Sequence, residues 1–267
     1  VLVLGGLLAI GVLVVLFPAI VTRWGPEEAT GARLASPSWS HLLGTDSLQR
    51  DLLARVLRAG RVSLVVGLGV AVLAGAIGVL VGMVAGMRGG WADEGLMRLT
   101  DLFLAAPALV VLLLLSRLPA HEAWARTLLG SIGSVRLVVT LLSLALWMPM
   151  ARLVRGVVVG LRERELTLAV RSLGAGRWHL VRHHLLPAAR TPIVVQASLT
   201  VASAILIESA MSFLGFGVQE VTTPTWGNLL QGQSGALGYA PHLVWGPSLA
   251  IVLTVLLANA IGDALRR

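Results

Sequence analysis

The chain contains no cysteine and no lysine. Without cysteine there is no disulfide, thiolate metal site or thiol nucleophile. Without lysine the chain lacks both the phosphate-binding residue of a Walker A loop and the amine of a Schiff-base enzyme; all 21 basic residues are arginine. If ATP drives movement of a solute through this protein, another subunit must hydrolyse it. No HExxH, no GxSxG and no paired catalytic carboxylates occur, which leaves an intramembrane enzyme with little support. Charge as a whole is scarce: 13% of the 267 residues are charged and 56% are hydrophobic, with a mean hydropathy of +0.86. That composition lies outside the range of a water-soluble domain of this size.

What is there is a series of apolar runs. Segments without a formal charge occupy 1–22, 62–87, 102–116, 137–151, 191–207 and 243–262, and a helix of about 20 residues crosses the ~30 Å of hydrocarbon. These runs predict an all-α polytopic membrane protein with six transmembrane helices. The third is expected to begin near Leu96, carrying Arg98 and Asp101 in its first turns, and the fourth near Leu128. The first run lacks the basic flank of a signal peptide and is expected to be a true span. The net charge of +8 is spread so that segments on the side of 152–190 hold twelve arginines against nine on the other. The positive-inside rule therefore places 152–190 and the C-terminus in the cytoplasm. This scatter of arginines around helix ends does not point to nucleic acid.

Three domains of sequence follow: a first span at 1–22, a connection at 23–61 outside the cytoplasm, and the remaining spans within 62–265. In the connection, TRWGPEEATGARLASPSW has loop composition. Beyond it, Leu48, Leu52, Leu53, Val56 and Leu57 share one helical face, and Asp46 with Gln49 has capping-box spacing. The expectation is an amphipathic helix, either at the membrane surface or buried in packing. In the second span, Gly78, Gly82 and Gly86 repeat every four residues, the pattern that lets helix backbones approach closely in lipid.

Between the fourth and fifth runs stands a polar, arginine-rich stretch, ELTLAVRSLGAGRWHLVRHHLLP, from Glu165 to Pro187. Helix-forming residues up to Arg171 are broken by Gly174, Ala175 and Gly176; a second helix from Trp178 is expected to end before Pro187 and Pro192 and lead back into the membrane. Leu166, Leu168, Ala169, Val170 and Leu173 with basic flanks suit docking in a groove of a soluble partner or lying on lipid headgroups. His179, His183 and His184 share this stretch, but no carboxylate follows at ligand spacing, so no metal site is expected.

The spacing of Ala169, Gly174 and Leu186-Pro187 resembles the EAA loop of binding-protein-dependent ABC importer permeases. Leu168, Ala169 and Val170 occupy the EAA positions and His184 a usually apolar one, so only the alanine, the glycine and Leu-Pro match literally. HLLGTDSLQRDLLARVLRAGRVSL, GMRGGWADEGLMRLTDLFLAAPAL, ARLVRG and ESAMSFLGFGVQEVTTPTWGNLL resemble, in order, the second permease of dipeptide, oligopeptide and nickel importers. The family usually has glycine where this chain has Gln49. The resemblance runs from His41 to Asp263.

It implies a type I ABC importer permease fold without catalytic residues or a bound cofactor. It also implies a second homologous permease beside this one, two cytoplasmic ATPases that use ATP and Mg, and an extracytoplasmic substrate-binding protein. The expected location is the cytoplasmic membrane of a bacterium and the expected cargo di- or oligopeptides, or similarly handled solutes such as haem or nickel chelates. The coupling residues would be Glu165, Ala169, Val170, Leu173, Gly174, Ala175, Gly176, Trp178 and Pro187.

The pathway is less legible. Gln196, Thr200 and Ser203 form a polar stripe in span five, and Glu208 lies further along it. An ionisable group at membrane depth is a functional candidate, either lining the route or pairing with a neighbour. Asp101 is expected to form an intrahelical or interhelical ion pair or to reach the pathway. Two alternatives from other classes are an ion-coupled secondary transporter, which would show inverted repeats and paired broken helices, and a purely structural or signalling subunit.

Overall fold

The computed structural model describes residues 21–121, 134–162, 174, 176–218 and 223–266. Most of the predicted first span and the predicted start of the fourth lie outside these residues. Helices dominate: α1 (Leu52–Arg88), α2 (Gly90–Ala105), α3 (Ala108–His121), α4 (Ser134–Leu146), α5 (Met148–Arg162), α6 (Arg177–Leu180), α7 (Leu186–Phe213), α8 (Trp226–Gln233) and α9 (His242–Arg266). Among the described residues the only β pairing consists of isolated bridges between Ala29 and Arg50 and between Thr45 and Asp51.

Among the described residues, three stretches are long and apolar enough to cross a membrane unaided: Leu52–Arg88, Trp178–Phe213 and His242–Arg266. Two bent pairs raise the number to as many as five. The third span, expected to begin near Leu96, is instead a bent pair in which α2, already helical from Gly90, and α3 meet at 81°. Pro107 is the cause: it disfavours helical backbone in the residue before it, and Ala106 is extended, with ψ 138°. The second pair, α4 and α5, bends by 43° where Pro149 enters the first turn of α5, a position that tolerates a missing N–H.

The expected amphipathic helix in the connection also differs. Its residues from Leu52 onward are the first turns of α1, continuous with the second span, and at 37 residues this helix is about 55 Å long. Asp51, not Asp46, is its N-cap, accepting the Ala54 N–H at 2.8 Å. Asp46 instead organises a turn, its Oδ1 accepting the N–H groups of Leu48 and Arg50 at 2.8 and 2.9 Å. That turn forces Gln49 to φ 63°, in the left-handed region that glycine occupies most readily. The loop before it closes on itself: the Thr45 hydroxyl donates to Ala32 O at 2.7 Å and accepts from the Ala35 N–H at 2.9 Å.

The glycine repeat of α1 lies against α5. A Cβ at Gly78 would stand 2.6 Å from Trp147 O, at Gly82 2.5 Å from Ala151 O, and at Gly86 2.7 Å from Val158 Cγ1. Only glycine permits that approach. Buried Val66, Leu112, Leu142 and Met211 fill the middle of the bundle. Met83, Val154, Val158, Leu185 and Ala189 pack one end, and Leu52, Val56, Ile205, Trp226 and Leu243 the other.

Candidate functional site

The first of these ends carries the polar segment between α5 and α6. Gly174 has φ +86° and is exposed, with nothing within 4 Å of the position a Cβ would take. Its backbone, rather than a lack of room, therefore calls for glycine. Gly176 is also exposed, and Trp178 is 74% exposed, a large indole without cover in the isolated chain. Glu165, Ala169, Val170, Leu173 and Ala175 lie outside the described residues.

The helix after this segment does not stop before Pro187, as the sequence suggested. It passes through a π-helical turn at Val181–Leu185 and continues as α7 with Pro187 in its first turn and Pro192 inside it. Proline has no N–H for the carbonyl four residues back and its ring crowds that carbonyl; the wider π turn accommodates both, the Leu186 N–H reaching back to Val181 O. Between α6 and the turn, the His179 and His183 rings stack at 4.4 Å, and His183 Nδ1 lies 3.2 Å from the His179 carbonyl oxygen.

Two ion pairs tie α5, which leads into the polar segment, to α2. Arg155 Nη2 donates to Asp93 Oδ2 at 2.6 Å, with Nε on Oδ1, and Arg152 pairs with Asp101. Asp101 is thus in an interhelical ion pair, with a partner 51 residues away; Arg98 binds Glu94 instead, at 2.7 Å. The sequence spacing carries no signal for either cross-helix pair.

The expected polar stripe of span five divides. Thr200 is buried and its hydroxyl donates back to Gln196 O at 2.9 Å, whereas Ser203 is exposed. Glu208 is 0% exposed, so among the described residues it faces neither open solvent nor a cation. The Ser212 hydroxyl donates to its Oε1 at 2.6 Å. The hydroxyls of Ser209 and Thr225 approach the same carboxyl, but Oε2 forms no hydrogen bond of normal geometry.

Around Glu208 the far end of the bundle is polar and tightly tied. Thr225 and Asn228 form a reciprocal capping box at the start of α8, the Asn228 Oδ1 accepting from Thr225 N at 2.8 Å. Trp226 Nε1 donates to Val56 O at 2.9 Å, anchoring α8 on α1. The Thr-x-x-Asn spacing was a readable capping signal that the sequence analysis missed. Nearby, buried Asp46 receives Arg50 Nε at 2.9 Å and Arg55 Nη1 at 2.6 Å. Burial pushes the Asp46 carboxyl up, but the Arg50 N–H and the charges and hydrogen bonds of Arg50 and Arg55 outweigh it and hold it below its ordinary 3.8.

This helical arrangement matches a known one. The family described as binding-protein-dependent transport system inner membrane component matches residues 78–267. The chain belongs to this family. It is 40% identical over 234 residues, 87% of this permease and 73% of the relative, to a Brucella suis chain described as a peptide permease protein. It is 34% identical over 88% of its length to the oligopeptide transport system permease protein OppC of Mycobacterium tuberculosis, covering 77% of that relative. With the glutathione transport system permease protein GsiD of Pectobacterium atrosepticum the identity is 36%, over 86% of this permease and 72% of the relative. Its fold is similar to a chain of the MetNI methionine ABC transporter in an inward-facing conformation, with a TM-score of 0.62, 22% identity, and coverage of 79% of this permease and 94% of that chain. The protein is a membrane-embedded permease subunit of an ABC importer, a class that works with ATPase and substrate-binding partners. These findings do not favour the ion-coupled secondary transporter.

Proposed function

We propose that this permease is one of two different permeases in an ATP-driven importer that brings di- or oligopeptides, or similarly handled solutes, across the bacterial cytoplasmic membrane. The observation that carries the substrate class is the 34–40% identity, over most of both chains, to permeases described as peptide and oligopeptide transporters. Glutathione, the cargo in the name of a third relative, is itself a tripeptide.

In this reading the chain is the non-catalytic half of a pore, binding no cofactor of its own; two cytoplasmic ATPases consume ATP and Mg. An extracytoplasmic binding protein delivers the cargo at the end near Glu208, and the C-terminus is cytoplasmic. The segment from Glu165 to Trp178 sits in a cleft of one ATPase, where exposed Trp178 finds its cover. Closure of the ATPases moves that segment, and α5 and α7 on either side carry the movement into the membrane. The left-handed backbone at Gly174 aims the segment at its partner. Gln196 and Ser203 are the remaining candidates of the polar stripe for the route.

The test is co-purification in mild detergent, wild type beside a Gly174→Val and Ala169→Glu double variant. A second permease and ATPases should accompany the wild type, and the ATPases should be lost from the variant while the permease pair persists. Recovery of the same partners from both would remove the segment from its coupling role.

A further inference from the structure

Helix α2 is bounded by a bend at each end and thinly packed between them. At its start Gly89 and Gly90 take φ of 64° and 53°, and nothing lies within 4 Å of a Cβ at Gly90; at its end the extended backbone of Ala106 makes the 81° turn into α3. Of its 16 residues only Thr100 is buried, and Leu99, Leu102, Phe103 and Leu104 are exposed. Three side-chain contacts tie it sideways, each to α5 or to the corner where α5 begins. Arg155 holds Asp93 through two parallel bonds, Arg152 holds Asp101, and Phe103 meets Trp147 edge-on with ring centroids 6.3 Å apart. Arg155 is itself fixed from behind: its backbone N lies 3.0 Å from the Cβ position of Gly82, at the glycine seam that joins α5 to α1. The α1–α5 pair is thus one body, and α2 a second, hinged on it.

Broad apolar packing would fuse the two bodies. Ion pairs instead hold them at side-chain reach, so that a push or pull is passed on while α2 stays able to tilt. The Asp93 pair is the stronger, with its carboxylate 15% exposed and bound by both edges of one guanidinium. The side chains of Arg152 and Asp101 are 50% and 60% exposed, and a pair that open adds little to stability. We propose that Asp93–Arg155, aided by Asp101–Arg152, is the linkage that makes α2 follow α5. When the ATPases close on the coupling segment, α5 moves and the ion pairs swing α2 about Gly89-Gly90 and Ala106-Pro107. Asp93 and Arg155 are positioning residues that act through α2 and not on the peptide. The linkage rests on the coupling role proposed for Glu165 to Trp178, and names the residues by which that movement leaves α5.

The test uses the full complex in proteoliposomes with its binding protein and labelled tripeptide. Asp93→Asn and Arg155→Gln should each lower uptake by about 10-fold or more while ATP hydrolysis falls by less than about 2-fold, the mark of lost transmission and not of lost structure. Reversing the pair, Asp93→Arg with Arg155→Asp, should restore uptake to roughly half of wild type or better, as a direct interaction requires. Uptake unaffected by the single changes, hydrolysis falling in step with uptake, or a reversed pair no better than either single variant would overturn the linkage. The chain has no cysteine, so spin labels at Gly95→Cys on α2 and Gly160→Cys on α5, exposed positions with nothing within 4 Å of a Cβ, report the distance between the two helices by double electron–electron resonance, with the partner subunits freed of their own cysteines. That distance should be the same with and without trapped ATP in the wild type and should change in Asp93→Asn. A wild-type distance that changes on trapping, or one equally constant in Asp93→Asn, would contradict the proposal. Gly174→Val separates the two failures: uptake lost there but normal in Asp93→Asn removes the linkage alone, whereas normal uptake in both removes the coupling role as well.

Discussion

Replacing Gly82 by alanine adds one methyl group at the tightest contact between α1 and α5. Its Cβ would lie 2.5 Å from Ala151 O, 2.8 Å from Val154 Cβ and 3.0 Å from Arg155 N, and two of these three atoms are backbone that no rotamer change can withdraw. Ordinary carbon contacts with oxygen and carbon are about 3.3–4.0 Å, so the helices must part by roughly 1 Å along this seam. Overpacking of this kind costs about 1–3 kcal/mol. The usual gain from replacing a mid-helix glycine by alanine, about 0.5–1 kcal/mol, does not offset it. Gly156, on the exposed side of α5 with nothing within 4 Å, should show that gain alone. The gain is common to both alanine variants, which should therefore differ by about 1–3 kcal/mol, read as a lower melting temperature of Gly82→Ala by fluorescence-detected size exclusion of the heated protein in detergent. Gly82→Ala melting with or above Gly156→Ala would refute the close approach of these helices.

Further expectations concern other parts of the molecule. Gln49→Gly relieves a left-handed backbone at φ 63° and should stabilise the turn after Asp46 by about 1 kcal/mol, measured as slower proteolysis of the 23–51 connection; faster cleavage would contradict it. Asp46→Asn leaves Arg55 without its charge partner and should cost about 3 kcal/mol. Because the folded Asp46 value is depressed below 3.8, its contribution is present in full above that pH and is lost as pH falls through the folded value. Hydrogen exchange of residues 44–51 should accordingly rise only in acid in the wild type and already at neutral pH in Asp46→Asn. Glu208→Ala removes the acceptor of Ser212 and opens a cavity at a site with 0% exposure, costing about 2–4 kcal/mol; wild-type thermal stability of that variant would place Glu208 outside the packed interior. Gly174→Val should leave the permease inserted and paired but lower ATP-driven uptake at least 10-fold, and unchanged uptake would mean that the turn is not needed.

The sequence was most readable where one physical signal acts alone. Long uncharged runs announced the membrane helices, and the four-residue glycine spacing announced a close helix contact, because lipid gives large side chains no reason to associate and only small ones let backbones meet. The positive φ of Gly174 agrees with the turn expected from Gly-Ala-Gly. Bends were hidden because a proline can break, kink or begin a helix according to its neighbours: Pro107 bends the third span, whereas Pro187 is absorbed by a π turn. The helix start was misplaced because Asp46 and Asp51 both have capping chemistry, and only the tertiary partners Arg50 and Arg55 claim the first of them. Asp93 with Arg155 and Asp101 with Arg152 join residues more than fifty positions apart, beyond any local pattern. Glu208 was legible as unusual but not as enclosed, since its surroundings come from α7 itself and from the loop leading to α8.

The account turns on ATP, binding protein and peptide acting together through this chain. Proteoliposomes holding the permease with its partner permease and ATPases would be supplied with labelled tripeptide, with and without the binding protein and with and without internal or external Mg-ATP on the ATPase side. The account predicts uptake only when binding protein and hydrolysable ATP are both present. Uptake driven by an ion gradient in the absence of either would contradict it.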